Sequence, residues 1–234
     1  MKKTKEQMPA DEQAGKKQKS FDGMSLRQPG GIYFHSASII GRKNVFVTDE
    51  YIEVLANAFK MAELRKDIKN LAYVIMPNFF LWIFRLSERD DNPVPVYGEL
   101  KRDVAGEILK GLKDEVSNAT YEVARLYQNN ERVGRSQPQK ILWTFEEMAK
   151  RFTNNKRYRV WAPRTEIRLI NTDELLAQKL AVIKAAPVSE RWQLAEKPED
   201  YPYLYLADEV LEAEKPSLKD CASLVDMPAF APAC

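Results

Sequence analysis

The sequence predicts an α+β fold in which a small antiparallel sheet carries helices packed on one face. Segments rich in β-branched and aromatic residues, typical of strands, occur at 32–40, 71–77, 79–86 and 157–170. Helical patterns separate or follow them, in the order strand, helix, strand, strand, helix, strand, helix. That order fits an α+β sandwich better than an alternating parallel-sheet fold.

Two helical patterns show an apolar stripe at the spacing of an α-helix. Asp49 is the predicted N-cap of the first, which extends to about Arg65. Its apolar face comprises Ile52, Leu55, Ala56, Phe59 and Ala62. The second is predicted from about Val96 to Val116. Its stripe comprises Leu100, Val104, Ile108 and Leu112.

The rest of the chain has weaker patterns. Residues 117–150 are predicted to be helical in part. The strand predicted at 157–170 is interrupted by Pro163. The cap residues 171–173 begin a last helix, which extends to about Ala185 and is ended by Pro187.

Composition places the chain among soluble proteins. Of its 234 residues 44% are hydrophobic and 30% are charged. The longest apolar stretch, 71–84, contains Pro77 and Asn78 and is too short to cross a bilayer, and the charged first residues lack an apolar run, so we expect neither a membrane span nor a signal peptide. The chain has two cysteines, Cys221 and Cys234, both near its end, whereas a disulfide framework would need cysteines within the fold, so we expect a cytoplasmic protein, with nucleoid association left open.

Charge divides the chain into three predicted regions. Residues 1–28 form a flexible basic arm, whose first twenty positions contain six lysines and three acids. Residues 29–206 form one domain. Residues 207–234 form a flexible acidic tail with six acids and two lysines.

A basic block extends from 150 to 168, with seven lysines or arginines and one acid. Such a block is a candidate phosphate-binding surface, and a solvated strand edge protected by charge explains it equally well. Strand alternation would place Arg157, Arg159 and Trp161 on one face and the two intervening side chains on the other.

Six segments resemble those of a known family in the family's own order. The segment AYVIMPN at 72–78 is similar to the AYVIMPNHxH segment of single-tyrosine (HUH-type) transposases, especially those associated with repetitive extragenic palindromes (REP). The other five segments lie at 32–46, 99–112, 154–170, 179–188 and 195–203. The resemblance covers residues 32 to about 206 and implies a ferredoxin/RRM-like sheet with contacts to DNA.

The resemblance also implies a chemistry. Two histidines on one strand hold Mg²⁺ or Mn²⁺, which polarises the scissile phosphate, and a tyrosine on the last helix attacks it. Phe79 and Leu81 stand at the histidine positions, Val182 stands at the tyrosine position, and Ala186 stands at that of a further ligand. None of these side chains can ligate a metal or attack a phosphate, so we expect no cofactor and four residues that meet in one apolar pocket.

The expected partner is DNA in hairpin, palindromic or single-stranded form. Ten residues are predicted to contact it because they are basic or aromatic and lie in segments that carry the resemblance. They are Arg42, Lys43, Lys101, Arg102, Lys156, Arg157, Arg159, Trp161, Arg164 and Arg168. Arginine beside an aromatic ring suits single-stranded DNA, since the charge neutralises phosphates while the ring stacks on a base.

Three functions remain open at this point. The first is an inactive transposase relative that binds DNA without cleaving it. The second is a protein-interaction module that uses the apolar sheet face at Phe79 and Leu81 together with the acidic tail. The third is an active nuclease whose nucleophile has moved to Tyr158 or Tyr201. A homodimer is compatible with each. The one histidine, His35, is interpreted as a packed or solvent-facing residue rather than a ligand.

Overall fold

The computed structural model describes residues 27–127, 137–152 and 156–213. Its centre is a five-stranded sheet in which every pair of neighbours is antiparallel. The strands are β1 (Ile32–Ser38), β2 (Lys69–Met76), β3 (Phe79–Arg85), β4 (Glu166–Ile170) and β5 (Leu204–Leu206), in the spatial order β4-β1-β3-β2-β5. The α+β class and the antiparallel sheet are confirmed.

Five α-helices of the described residues pack around this sheet. They are α1 (Asp49–Lys66), α2 (Pro93–Tyr127), α3 (Gln137–Lys150), α4 (Asp173–Val188) and α5 (Asp208–Ala213). Thr48, not Asp49, is the N-cap of α1. Thr172 caps α4 as expected, since its side chain accepts the amide proton of Leu175.

The helices cover both faces of the sheet, whereas the sequence predicted one. The first face carries Tyr33, Phe80 and Trp82, which pack against α1, α2 and α3. The second face carries Phe34 and Ile83, which pack against α4, α5 and the segment between them. Alternation explains the difference, because β2 and β3 are buried on both sides and each face therefore needs a cover.

Two other predictions required correction. Residues 157–165 do not form a strand, apart from an isolated bridge between Ile39 and Trp161. The packed region also continues past residue 206, because Ala207 and Val210 are buried and Glu209 pairs with Lys69. The assignment of 207–213 to a flexible tail is therefore wrong, while 1–26 and 214–234 lie outside the described residues.

Candidate nucleic-acid interface

Trp161 anchors the basic segment to the domain. Its indole nitrogen donates a hydrogen bond to the carbonyl oxygen of Lys101 at 2.7 Å, and its ring lies edge-on to Phe80. Only 8% of Trp161 is exposed, so its ring belongs to the core and is not a free stacking surface. The amide of Ala162 donates to the carbonyl of Ser38, which holds the segment beside the end of β1.

Lys101 lies half-buried on α2 above this indole. Its ammonium nitrogen is 5.8 Å from the centroid of the Trp161 ring. Burial, and then the nearby charge of Arg159, lower the pKa of Lys101 to about 8. No carboxylate of the described residues lies within ion-pair distance of Lys101. Within those residues its charge therefore has no ion-pair partner.

Arg159 is held in place by three contacts. Its backbone amide donates to the carbonyl of Phe145 at 3.1 Å, and its Nε donates to the carbonyl of Trp161 at 3.3 Å. Its guanidinium carbon lies 3.8 Å from the centroid of the Phe152 ring. Within the described part of the chain Arg159, like Lys101, has no carboxylate partner.

Tyr158 extends the same surface. The ammonium of Lys113 and the guanidinium of Arg157 each lie 5.2 Å from the centroid of its ring. Arg157 also approaches a carboxylate, with its Nε 3.8 Å from an oxygen of Glu146. We call Lys101, Lys113, Arg157, Tyr158 and Arg159 the basic cluster.

The predicted strand alternation in this segment is wrong. Val160 and Trp161 are neighbours in sequence, yet both are buried in the core between the first sheet face and the helices. Consecutive residues of a strand would point to opposite sides. The contacts of Arg159 and Tyr158 with α3 and α2 determine the conformation instead.

A turn that carries Arg42 and Lys43 lies beside the basic segment. The amide of Ile40 donates to the carbonyl of Val160 at 2.8 Å. Arg42 has a left-handed backbone conformation (φ 52°), and Asn78 donates from its side-chain amide to the Arg42 carbonyl at 3.3 Å. The tip of the β2–β3 hairpin thus holds this turn in place.

The other predicted DNA contacts are dispersed. Lys156 and Arg164 are exposed at the two ends of the basic segment. Arg102 approaches Asp103 at 3.6 Å and lines a cavity of about 540 Å³ between α1 and α2, not the surface over Trp161. Arg168, opposite Phe34 on β4, faces the second side of the sheet. The two residues of the predicted pair therefore lie on different surfaces, Lys101 over Trp161 and Arg102 at the cavity between α1 and α2.

The four positions that the resemblance equates with catalytic residues do not all meet. Phe79, Leu81 and Ala186 belong to the cluster between the second sheet face and α4. Val182 is 45% exposed on α4, so the expectation of a single pocket is wrong for that residue. Hydrocarbon side chains at all four positions supply no metal ligand, and the residues present do not fit the metal that the family uses.

The remaining candidate residues are packed. The hydroxyl of Tyr201 donates to the carbonyl of Ile75 at 2.7 Å, and burial raises the pKa of Tyr201 to about 12. His35 is fully buried and stacks on Tyr97 at 4.7 Å, and its Nδ1 donates to the carbonyl of Glu166 at 3.0 Å. Burial, and then the charge of Lys101, lower the pKa of His35 to about 3.

Two contributors were missed from the sequence. Lys113 is one of several lysines on α2, and nothing local distinguishes it from Lys110. Phe152, which supports Arg159, follows the end of α3. Their roles depend on contacts between distant segments, for which the sequence carries no periodic signal.

Comparisons with known proteins show a shared fold with a solved structure and no match to a protein family or a curated protein. No protein-family profile matches the chain, and no curated protein matches it. A solved structure of the REP-associated tyrosine transposase bound to a REP hairpin is similar, with a TM-score of 0.51. The two chains share a fold. At 15% identity, the alignment covers 90% of this chain and 93% of the transposase. Separately, none of the helices in the described ranges combines the length and apolar composition needed to cross a bilayer.

Proposed function

We propose that this protein binds DNA through the basic cluster and does not cleave it. The proposal rests mainly on two cations, Lys101 and Arg159, that lie near each other. Both are half-buried cations, their charges repel, and no described carboxylate neutralises either one. A phosphate would remove this repulsion, since it brings the missing negative charge.

The fold supports DNA as the source of that phosphate. The similar transposase was solved with a DNA hairpin bound. The turn with Arg42 and Lys43 extends the positive surface, and residues 39–48 contain these two cations and no acid. Electrostatic attraction of this kind is insensitive to base sequence, so it accounts for affinity and not for specificity.

The proposed lack of cleavage is based on side-chain chemistry. Phe79, Leu81, Val182 and Ala186 offer neither a metal ligand nor a nucleophile. Tyr201, one of the two substitute nucleophiles, has a buried hydroxyl with a raised pKa, which disfavours the reactive phenolate. Tyr158 has no carboxylate or histidine contact in the described residues that could act as its general base.

The second function that the sequence left open receives less support. A protein partner on the sheet would need the apolar surface at Leu81 to be accessible, and only 8% of Leu81 is exposed beneath α4. The acidic residues after 213 lie outside the described residues.

Fluorescence anisotropy with hairpin, single-stranded and scrambled duplex DNA at moderate salt tests the binding. We expect Lys101→Gln and Arg159→Gln to weaken binding to every DNA and to lower the salt dependence by about one ion per lost phosphate contact. Lys60→Gln, at an exposed position on α1, should bind like the wild type. Equal binding by all four proteins, or none by the wild type, would refute the proposal.

Cleavage is tested separately. The wild-type protein is incubated with single-stranded and hairpin DNA in the presence of Mn²⁺ and then denatured. We expect intact DNA and no protein–DNA adduct on the gel. A covalent adduct would show that the second half of the proposal is wrong, and its loss in Tyr158→Phe would identify the nucleophile.

A further inference from the structure

An aromatic pair lies on the second side of the sheet, away from the basic cluster. Phe79 begins β3, and Trp192 follows the end of α4. Their ring centroids are 6.0 Å apart, and the rings are tilted by 53°. Both side chains are only partly buried, so solvent reaches part of the ring surface.

The turn after α4 holds Trp192 in this position. The amide of Trp192 donates to the carbonyl of Ser189 at 2.9 Å, and the amide of Leu194 donates to the carbonyl of Pro187 at 2.8 Å. Gln193 adopts a left-handed conformation with φ 46°, which is costly for a residue with a side chain. The turn that brings Trp192 against Phe79 therefore contains a strained residue, Gln193.

An arginine lies against the pair. The guanidinium of Arg191 lies 5.3 Å from the centroid of the Trp192 ring. Asn78, which directly precedes Phe79, donates to the backbone carbonyl of Arg42, so the turn with Arg42 and Lys43 is held against the tip of the same hairpin. The one acid between 183 and 195 is Glu190. A negatively charged polymer with flat apolar groups complements such a surface.

We propose that Phe79 and Trp192 form a stacking site for an unpaired nucleobase of the bound DNA. The inference rests on the proposed function and specifies its ligand further, as DNA with at least one unpaired base. Every base presents a π-face, so a partly exposed indole can bind it without reading its sequence. Arg191, beside the Trp192 ring, lies where it can neutralise a phosphate that flanks the base. Bases inside a duplex are already stacked and cannot enter.

The test compares an oligothymidylate with a duplex of mixed sequence by fluorescence anisotropy. Trp192→Ala should weaken single-strand binding about tenfold, within the range measured for base–aromatic stacking, and leave duplex binding within about twofold. Trp192→Phe should retain most of the affinity because it keeps a ring. Leu194→Ala, an exposed apolar residue of the same turn, serves as the matched control and should bind like the wild type.

A second variant keeps the test valid if Trp192→Ala does not fold. Phe79→Leu keeps an apolar side chain against α4 but removes the ring, and we expect it to weaken single-strand binding selectively. If Trp192→Ala and Phe79→Leu bind the single strand like the wild type while Lys101→Gln binds both DNAs weakly, the stacking site is wrong and the proposed function stands. If the wild type binds neither DNA, the proposed function fails and the stacking site with it.

Discussion

The indole of Trp161 contacts Lys101 twice, through a hydrogen bond to its backbone carbonyl and through the ring beneath its ammonium group. The first contact ties the basic segment to α2. The second places the face of the ring beneath the cation, whose pKa is lowered by burial and then by the charge of Arg159. A buried structural residue thus positions a cation of the candidate interface.

DNA binding should weaken as pH rises through about 8. Lys101 loses its charge in this range, because its pKa is lowered to about 8 from the ordinary 10.5, and a neutral amine does not attract phosphate. Bound phosphate favours the charged form, so the midpoint in the complex should lie above that of the free protein. Affinity measured from pH 7 to 10 at constant ionic strength checks this, with Lys101→Arg, which stays charged, as the control. Parallel pH profiles for the two proteins would contradict it.

Acid should destabilise the domain through His35. The folded protein holds the pKa of His35 near 3, below the ordinary 6.5, so protonation favours the unfolded chain. The stability contributed by neutral His35 is complete above pH 6.5 and is lost as pH falls towards 3. At pH 4 the loss should be about 3 kcal/mol. Urea unfolding at pH 7 and pH 4 measures it, and His35→Phe should reduce the difference. An equal pH dependence in the variant would show that other groups cause it.

Asn70 should be important for folding, because it joins α1 to the sheet through a buried network. Its side-chain amide donates to the carbonyl of Phe59 at 3.0 Å, and its side-chain oxygen accepts from the indole of Trp82 at 2.8 Å. Asn70→Ala leaves both groups unsatisfied, so we expect a loss of about 2–4 kcal/mol in the free energy of unfolding. Asn57→Ala, on the exposed side of α1, should change stability by less than about 0.5 kcal/mol. Similar values for the two variants would mean that the network contributes little.

Removal of the Trp161 side chain should affect both stability and binding. Trp161→Ala opens a cavity beside Phe80 and should cost about 3–5 kcal/mol. Trp161→Phe retains a ring and should cost less, but it loses the hydrogen bond to Lys101. We expect Trp161→Phe to weaken DNA binding although the domain stays folded, as measured by thermal unfolding and anisotropy on the same samples. Unchanged affinity would show that the basic cluster does not depend on this bond.

Local sequence patterns predicted the secondary structure correctly where the residues of one helix or strand determine it. The apolar stripe that predicted a helix from 49 to about 65 corresponds to α1, and the segments at 71–77 and 79–86 correspond to β2 and β3. The segment 157–165 has a strand-like composition but is not a strand, because its one β-bridge joins Trp161 to Ile39, just past the end of β1, while its side chains pack on α2 and α3. The prediction that Lys101 and Arg102 form one basic pair was also wrong. Consecutive residues of a helix point about 100° apart, so the two side chains lie on different surfaces.

The sequence alone determined the order of the elements, the α+β class and the absence of ligating side chains at the four transposase-like positions, since these depend on local periodicity and residue chemistry. Tertiary structure decided which cations stand together without a counter-charge, that helices cover both sheet faces, and that Val182 points to solvent. Those outcomes depend on contacts between segments far apart in the chain, such as Lys101 with Trp161 and Phe79 with Trp192, and no local pattern encodes such distances.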